Sequence, residues 1–362
     1  MMQISPEIQL FIREHSSDDV RVLALQAKKY PDIDMPTVIT QIAGRKVAAE
    51  KIPSWWEIEK IWYPKHLSLE QCSSEITARY KARLLQGDSL TDLTGGFGID
   101  CSFLATGFKS ATYVERQEEL CEIAAHNFPV LNLNHINIKN EDGVTYLQAM
   151  SPVDCLFLDP ARRNEHGGKT VAISDCEPNV AELEELLLQK ANRVMIKLSP
   201  MLDLSLALKE LKQTQEVHIL SVNNECKELL ILLGQTSPAE ISIHCVNLFT
   251  KGTQKEQHFV FTREQEQCSE CTYTDSLETY LYEPNASLLK AGAFRSIAAA
   301  YPVRKLHPNS HLYTSDTFIE NFPGRIFRIV NQCSFNKKEV KENLADLKKA
   351  NVTVRNFPAT VA

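Results

Sequence analysis

The chain has 362 residues, enough for two to three domains and a sizeable core, which excludes a small disulfide scaffold. Hydrophobic residues make up 43% and charged residues 23%, with 13 Gly and 16 Pro, which excludes a disordered or fibrous chain. The 39 Lys and Arg against 46 Asp and Glu give −7, which excludes a uniform polycation coating nucleic acid or anionic lipid. That charge is unevenly spread: residues 284–362 hold twelve basic and five acidic residues, +7, and the remaining 283 carry −14. A basic segment beside an acidic body suggests a module that binds a polyanion.

Met1 to Glu14 is mixed, with Glu7, Arg13 and Glu14, and has no apolar run of a secretory leader. No run of about 18 apolar residues occurs, so no membrane partner is expected. Ten cysteines in such a chain read as reduced thiols of a cytoplasmic protein. Cys268 and Cys271 form a lone CxxC with no second pair, so the expectation is a loop and no metal.

The first 85 residues predict a helical region (1–85), with Ser16 and Ser17 as caps of a helix over Val20 to Ala27 and a second helix from Pro36 to Ala49. Trp55, Trp56, Trp62 and Tyr63 follow. They read as a small aromatic core in preference to a stacking site for a ligand. From Ser89 short apolar strands alternate with helices: strands at 89–94, 110–115, 136–139, 153–159 and 193–198, with helices at 98–106, 117–128 and 181–190. Such runs suit a parallel sheet covered on both faces. A helix near 202–211 leads to strands at 217–222 and 228–234, joined by too few residues for a parallel crossover, so the last strand is expected to be antiparallel. This is an α/β, Rossmann-like seven-stranded core over residues 86–265.

Glu240 to Phe249 and His258 to Arg263 alternate like a polar-faced hairpin, and Glu264 to Thr274 reads as a linker. A C-terminal α+β module follows, with a helix from Glu283-Pro284 to Ala300, a turn-rich stretch, a strand 325–330, a basic helix 337–349 and a strand 352–355. Its expected pieces are 275–322 and 323–362, and the stop at Ala362 suggests that the natural chain runs further.

Three acids stand at three strand ends. The first turn is Asp92-Leu-Thr94-Gly95-Gly96-Phe-Gly98, the second strand ends at Glu115, and Asp142-Gly143 follows the third. In a doubly wound sheet such positions hold a nucleotide-type cofactor: the turn admits its backbone approach, the second acid takes ribose hydroxyls and the third the base amine. A dinucleotide fingerprint is GxGxxG, with its pyrophosphate over a helix N-terminus and no carboxylate nearby. This turn is GGxG with Asp92 beside it, which suits the cationic S-adenosyl-L-methionine and repels a pyrophosphate.

The run Asp92 to Asp100, with Glu115, Asp142 and Asp159-Pro160-Ala-Arg162-Arg163, resembles class I S-adenosylmethionine-dependent methyltransferases. More narrowly, the chain resembles bacterial members with a C-terminal THUMP-like domain, through Ser68-Leu-Glu-Gln-Cys-Ser-Ser-Glu-Ile-Thr-Ala-Arg-Tyr-Lys81, Glu225-Cys-Lys-Glu-Leu229, Tyr282-Glu-Pro-Asn-Ala286, Leu306 to Asp316 and Phe322-Pro-Gly-Arg325. The resemblance implies a Rossmann-like core, a ferredoxin-like piece and a THUMP-like module of the kind that presents RNA, tRNA or rRNA, to modification enzymes.

The fourth strand ends at Asp159-Pro160-Ala-Arg162, where methyltransferases hold the acceptor. In the related D/N-P-P-Y pattern the acid accepts from an exocyclic amine and the aromatic stacks on a flipped base. Arg162 replaces the aromatic and suits a phosphate or a base face. Methylation of a nucleobase nitrogen is the leading expectation, with Asp159, Pro160 and Arg162 as catalytic candidates. A covalent route to a pyrimidine carbon would use a cysteine, Cys226 before Cys176. Two further functions fit the same residues: a small-molecule methyltransferase, and a non-catalytic RNA-binding protein that keeps a vestigial cofactor fold. The polar loop Gly167 to Pro178 is a candidate for substrate contacts. Ser74, Glu75 and Thr77 either fold over the cofactor or form a helix-capping box.

Overall fold

A computed structural model of the protein describes residues 4–162, 172–345 and 347–353. Its elements, in chain order, are α1 (Pro6–Glu14), α2 (Val20–Leu25), α3 (Met35–Lys51), α4 (Pro53–Trp56), α5 (His66–Gln71), α6 (Glu75–Ala82), β1 (Ser89–Asp92), α7 (Ile99–Ala105), β2 (Ser110–Glu115), α8 (Glu118–Val130), β3 (Ile136–Asn140), α9 (Gly143–Ala149), β4 (Val153–Leu158), β5 (Ala161–Arg162), β6 (Cys176–Glu177), α10 (Val180–Lys190), β7 (Ala191–Leu198), α11 (Leu204–Glu210), β8 (Thr214–Val222), β9 (Glu225–Gly234), β10 (Ser242–Leu248) and β11 (Glu256–Phe261). There follow α12 (Arg263–Cys268), β12 (Tyr280–Pro284), α13 (Ala286–Ala291), α14 (Ser296–Ala300), β13 (Arg304–His307), β14 (Ser310–Ser315), β15 (Gly324–Arg328) and α15 (Lys337–Asn343). The chain divides into two compact units, 1–215 with 230–238 and 216–229 with 239–362.

In the first unit, β1 pairs in parallel with β2 and β4, β2 with β3, and β4 with β7, as the apolar runs predicted. The large sheet has the order β11-β10-β8-β9-β7-β4-β1-β2-β3, of which β10, β11 and most of β8 belong to the second unit. The seven expected strands are present, and two more extend the sheet to nine. The stretches read as a polar-faced hairpin do pair antiparallel, as β10 and β11, and β10 also pairs in parallel with β8. β10 joins because Ile243, Cys245, Val246 and Leu248 are buried, which a surface hairpin does not require. β8 and β9 are joined by Asn223 and Asn224 alone, both with positive φ, a two-residue turn that fixes antiparallel pairing.

The N-terminal helices carry two small cores. Phe11, Leu23, Met35, Val38 and Ile42 form one. Trp55, Tyr63, Phe97 and Ile99 belong to the other, with Trp55 edge-on to Phe97 at 5.2 Å, so the aromatic cluster is packing. Trp62 stacks on His126 at 3.7 Å. The cap of α2 is Asp19, which accepts from the Arg21 amide at 2.7 Å, and not Ser16 or Ser17; a carboxylate one residue before the first turn reaches it better.

The second unit contains a four-stranded antiparallel sheet, β13-β14-β12-β15. Here the sequence expectations need correction. The linker at Glu264 to Thr274 contains α12, started by a capping box of Thr262 and Gln265. The single helix to Ala300 is β12, α13 and α14, broken at Gly292, whose φ of +78° ends α13. The turn-rich stretch holds the β13–β14 hairpin. The basic helix stops at Asn343; of the strand expected at 352–355, Val352 and Thr353 are in no strand and the other two residues lie outside the described residues.

Candidate active site

The site lies in the first unit, where β1 ends. Asp92 is 1% exposed. Its Oδ1 accepts from the Thr94 amide at 3.0 Å, while its Oδ2 is buried with no hydrogen-bond partner. Burial, with the negative charges of Asp100, Asp159 and Glu115 added, pushes this carboxyl well above the usual carboxylate range. A buried anionic oxygen facing further anions is costly unless a cation arrives.

The glycines of the turn are required by the fold as much as by any ligand. Gly96 and Gly98 have φ of +54° and +86°, and Gly98 opens α7. A Cβ on Gly95 would lie 2.2 Å from the Tyr113 ring, and one on Gly143 2.2 Å from the Leu93 carbonyl oxygen. Gly96 alone keeps open space, its nearest neighbour being 3.8 Å from such a Cβ. The Tyr113 hydroxyl donates to the Gly96 carbonyl, and the Gly96 amide donates to Glu115 Oε2 at 2.8 Å. Glu115 Oε1 accepts from the Gln117 amide at 2.8 Å, so the acid at the end of β2 is tied to the turn it faces. Asp142 caps α9, its Oδ1 accepting from the amides of Val144 and Thr145 and from the Thr145 hydroxyl.

Thr94 links the two halves of the site. Its hydroxyl accepts from the Asp159 amide at 2.6 Å, which joins the turn after β1 to the turn after β4. Asp159 is half-buried and Pro160 buried. Ala161 and Arg162 pair with Glu177 and Cys176 in a two-residue ladder. The Arg162 side chain, Arg163 and the loop residues 167–171 lie outside the described residues.

Behind Asp159 sits a buried ionic network that the sequence reading missed. Lys81, fully buried in α6, contacts Asp100 Oδ1 at 2.9 Å and donates to the Ser73 hydroxyl at 2.8 Å. Lys197 at the end of β7 reaches Asp100 Oδ2 at 3.2 Å, Asp159 Oδ2 at 2.6 Å and the Ser73 hydroxyl at 3.0 Å. Burial alone would raise Asp100, but the two ammonium groups overcome it and hold its carboxyl below the usual range. Desolvation raises the Asp159 carboxyl, against the pull of Lys197. The signal for this network is a lysine ending an otherwise apolar strand, Val194-Met-Ile-Lys197, where an unpaired charge is not tolerated.

Other candidates have different work. Glu75 accepts from the Ser54 amide at 2.8 Å and pairs with Arg79. Ser74 makes no side-chain cap bond, and its hydroxyl contacts that of Thr77 at 3.2 Å, so no capping box forms. Burial pushes the Cys226 thiol up to about 11, and a thiol at that value is scarcely ionised at neutral pH. Cys268 is exposed and Cys271 half-exposed, and no disulfide joins them.

The fold is Rossmann-like, of the class I methyltransferase type. Residues 280–323 match a ferredoxin-like domain family and residues 324–362 a THUMP domain-like family. A solved structure from Porphyromonas gingivalis, described as a "putative methyltransferase", is 35% identical with a TM-score of 0.85, over 98% of this chain and 88% of that one. The chain belongs to that methyltransferase family with a C-terminal THUMP-like domain. An rRNA methylase of Streptococcus thermophilus aligns at 14% identity over 44% of this chain and 93% of its own, TM-score 0.32. A Streptococcus mutans protein in complex with SAH gives 14% over 44% and 96%, TM-score 0.32. No curated protein matches the chain. Among the described residues no helix is long and apolar enough to cross a membrane.

Proposed function

We propose that the chain is an S-adenosyl-L-methionine-dependent methyltransferase that methylates a nucleobase nitrogen in structured RNA, tRNA or rRNA, in the cytoplasm, with the C-terminal module binding the RNA. The observation that carries the cofactor is the buried, unpartnered Oδ2 of Asp92. The residues fit a cationic ligand: Asp92 would face the positive charge, with Thr94, Gly95, Gly96 and Gly98 as the turn beneath it. Glu115 would take ribose hydroxyls, and Asp142 with Gly143 the adenine amine. When bound, the cofactor supplies an electrophilic methyl group.

The chain's own residues then prepare the acceptor. Lys197 opposes the desolvation of Asp159 and so favours its carboxylate form, which only accepts hydrogen bonds and can receive an exocyclic amine. Thr94 fixes the Asp159 backbone against the cofactor turn, so donor and acceptor turns keep one spacing. Pro160 stiffens the acceptor turn. Arg162 remains the candidate contact to a phosphate or base.

The test is transfer of labelled methyl from S-adenosylmethionine to total RNA, followed by nucleoside analysis. Label in a nitrogen-methylated nucleoside is the expected result. Label only in small molecules, or none in RNA, overturns the reading. Cys226→Ala is expected to retain full transfer, because its thiol is poorly ionised; a complete loss with the fold intact would favour the covalent route to a pyrimidine carbon.

A further inference from the structure

Three histidines stand on one face of three adjacent strands of the second unit. The register pairs His218 of β8 with His244 of β10 directly. It pairs Val246 of β10 with His258 of β11, and His244 with Val260, so His258 sits diagonally beside His244 on the same face. Glu216, two residues before His218, shares that face. Glu216, His218 and His244 thus cluster on this face, with His258 beside His244 at its edge.

Two pairs of candidate ligand atoms already lie at contact distance. His244 Nδ1 lies 3.1 Å from His258 Nε2, and His218 Nε2 lies 3.2 Å from Glu216 Oε2. Ligand atoms of Glu216, His218 and His244 all fall within 4.8 Å of one another. A zinc ion with bonds of about 2.0–2.1 Å to nitrogen sets neighbouring tetrahedral ligands about 3.3–3.4 Å apart. The rings of His218 and His244 stack at 4.2 Å and 14°, so His244 would have to turn about its soft terminal torsion to present an in-plane lone pair to a shared ion. His218 is buried, His244 half-buried and His258 exposed, which gives the site a rigid floor and an entry path.

We propose that Glu216, His218, His244 and His258 bind one divalent cation of the zinc type, with softer imidazole donors outnumbering oxygen. The ion cross-links β8, β10 and β11, and its role is structural, since the four protein ligands fill a tetrahedral shell. The sequence expectation of no metal weighed only the CxxC, and ligands on three separate strands leave no linear spacing to read.

The experiment uses the full chain stripped with a chelator, then titrated with Zn²⁺ by calorimetry and with Co²⁺ by visible absorption. One equivalent of Zn²⁺, a tetrahedral Co²⁺ spectrum and a raised thermal midpoint are expected. His258→Gln, at an exposed position where folding is not at risk, and His244→Gln should each weaken Zn²⁺ at least about tenfold. Cys268→Ser with Cys271→Ser should leave it unchanged. The proposal is overturned if the wild type shows no saturable binding, if both histidine variants bind as the wild type does, or if the bound equivalent disappears with the cysteines.

Discussion

At the scale of single residues, Asp92 sets stability against function. Its folded carboxyl sits above its unfolded value, so the ligand-free fold binds that proton more tightly than the unfolded chain does. The stabilisation is complete below the ordinary carboxylate range and is lost as pH rises through the folded value. Asp92→Asn keeps an oxygen for the Thr94 amide and removes the charge. The variant should therefore melt no lower than the wild type at pH 7, and its midpoint should no longer decline with pH through this group. Calorimetry should show S-adenosylmethionine bound roughly 10–100-fold more weakly, the size of one missing charge-assisted hydrogen bond. Unchanged affinity would remove the basis of the cofactor assignment. The opposite case is Asp100, whose depressed carboxyl stabilises the fold above its unfolded range and loses that contribution as pH falls through the folded value. Lys81→Met leaves Asp100 with Lys197 alone in a buried setting and should cost about 3–5 kcal/mol in denaturant unfolding. The acids at strand ends were legible because each terminates an apolar run. The lysines that balance them were not, because pairing across α6, α7 and β7 is a property of the folded unit.

At the scale of elements, strands were read well where both faces are buried and badly where structure depends on capping. α12 is six residues long and polar throughout, so no hydrophobic period marks it. What fixes it is chemistry at its ends and one set of long-range hydrogen bonds. Glu266 accepts from the amides of Phe294 and Arg295 through Oε1 and from the Ser296 amide and hydroxyl through Oε2. The Arg295 and Ser296 amides are donors at the start of α14, which has no side-chain cap of its own, while the Phe294 amide also donates to the Gly292 carbonyl. Glu266→Ala should thus destabilise the second unit by about 1–3 kcal/mol, the cost of stranding several amides at once, and Glu266→Gln by less. Hydrogen exchange should show the loss first at Phe294 to Ser296. If those amides exchange as before, α12 is a surface helix with no such role. The capping box at Thr262 and Gln265 was visible in the sequence; the long-range partner of Glu266 was not.

At the scale of the whole molecule, the charge division of the sequence becomes a statement about solution behaviour. The −14 of the first 283 residues includes acids whose burial beside a cationic ligand is useful, whereas the +7 of the last 79 lies on a module with few buried charges. Lys337, Lys338 and Lys341 of α15 are exposed, as are Arg304 of β13 and Arg325 and Arg328 of β15. Exposed lysines stabilise a fold little, so reversing those of α15 should leave the thermal midpoint within about a degree of the wild type. Their value would lie in phosphate contacts, each of which releases condensed counterions when RNA binds. Replacing Lys337, Lys338 and Lys341 by Glu should therefore weaken RNA binding and flatten the slope of log K against log salt by about 2–3, at roughly 0.7–0.9 for each phosphate no longer neutralised. Calorimetric affinity for S-adenosylmethionine should be untouched, because the residues proposed to hold it all belong to the other unit. A slope that stays the same would mean that the basic module does not grip the polyanion, and the acceptor would then have to be sought among small molecules that reach Asp159 without it.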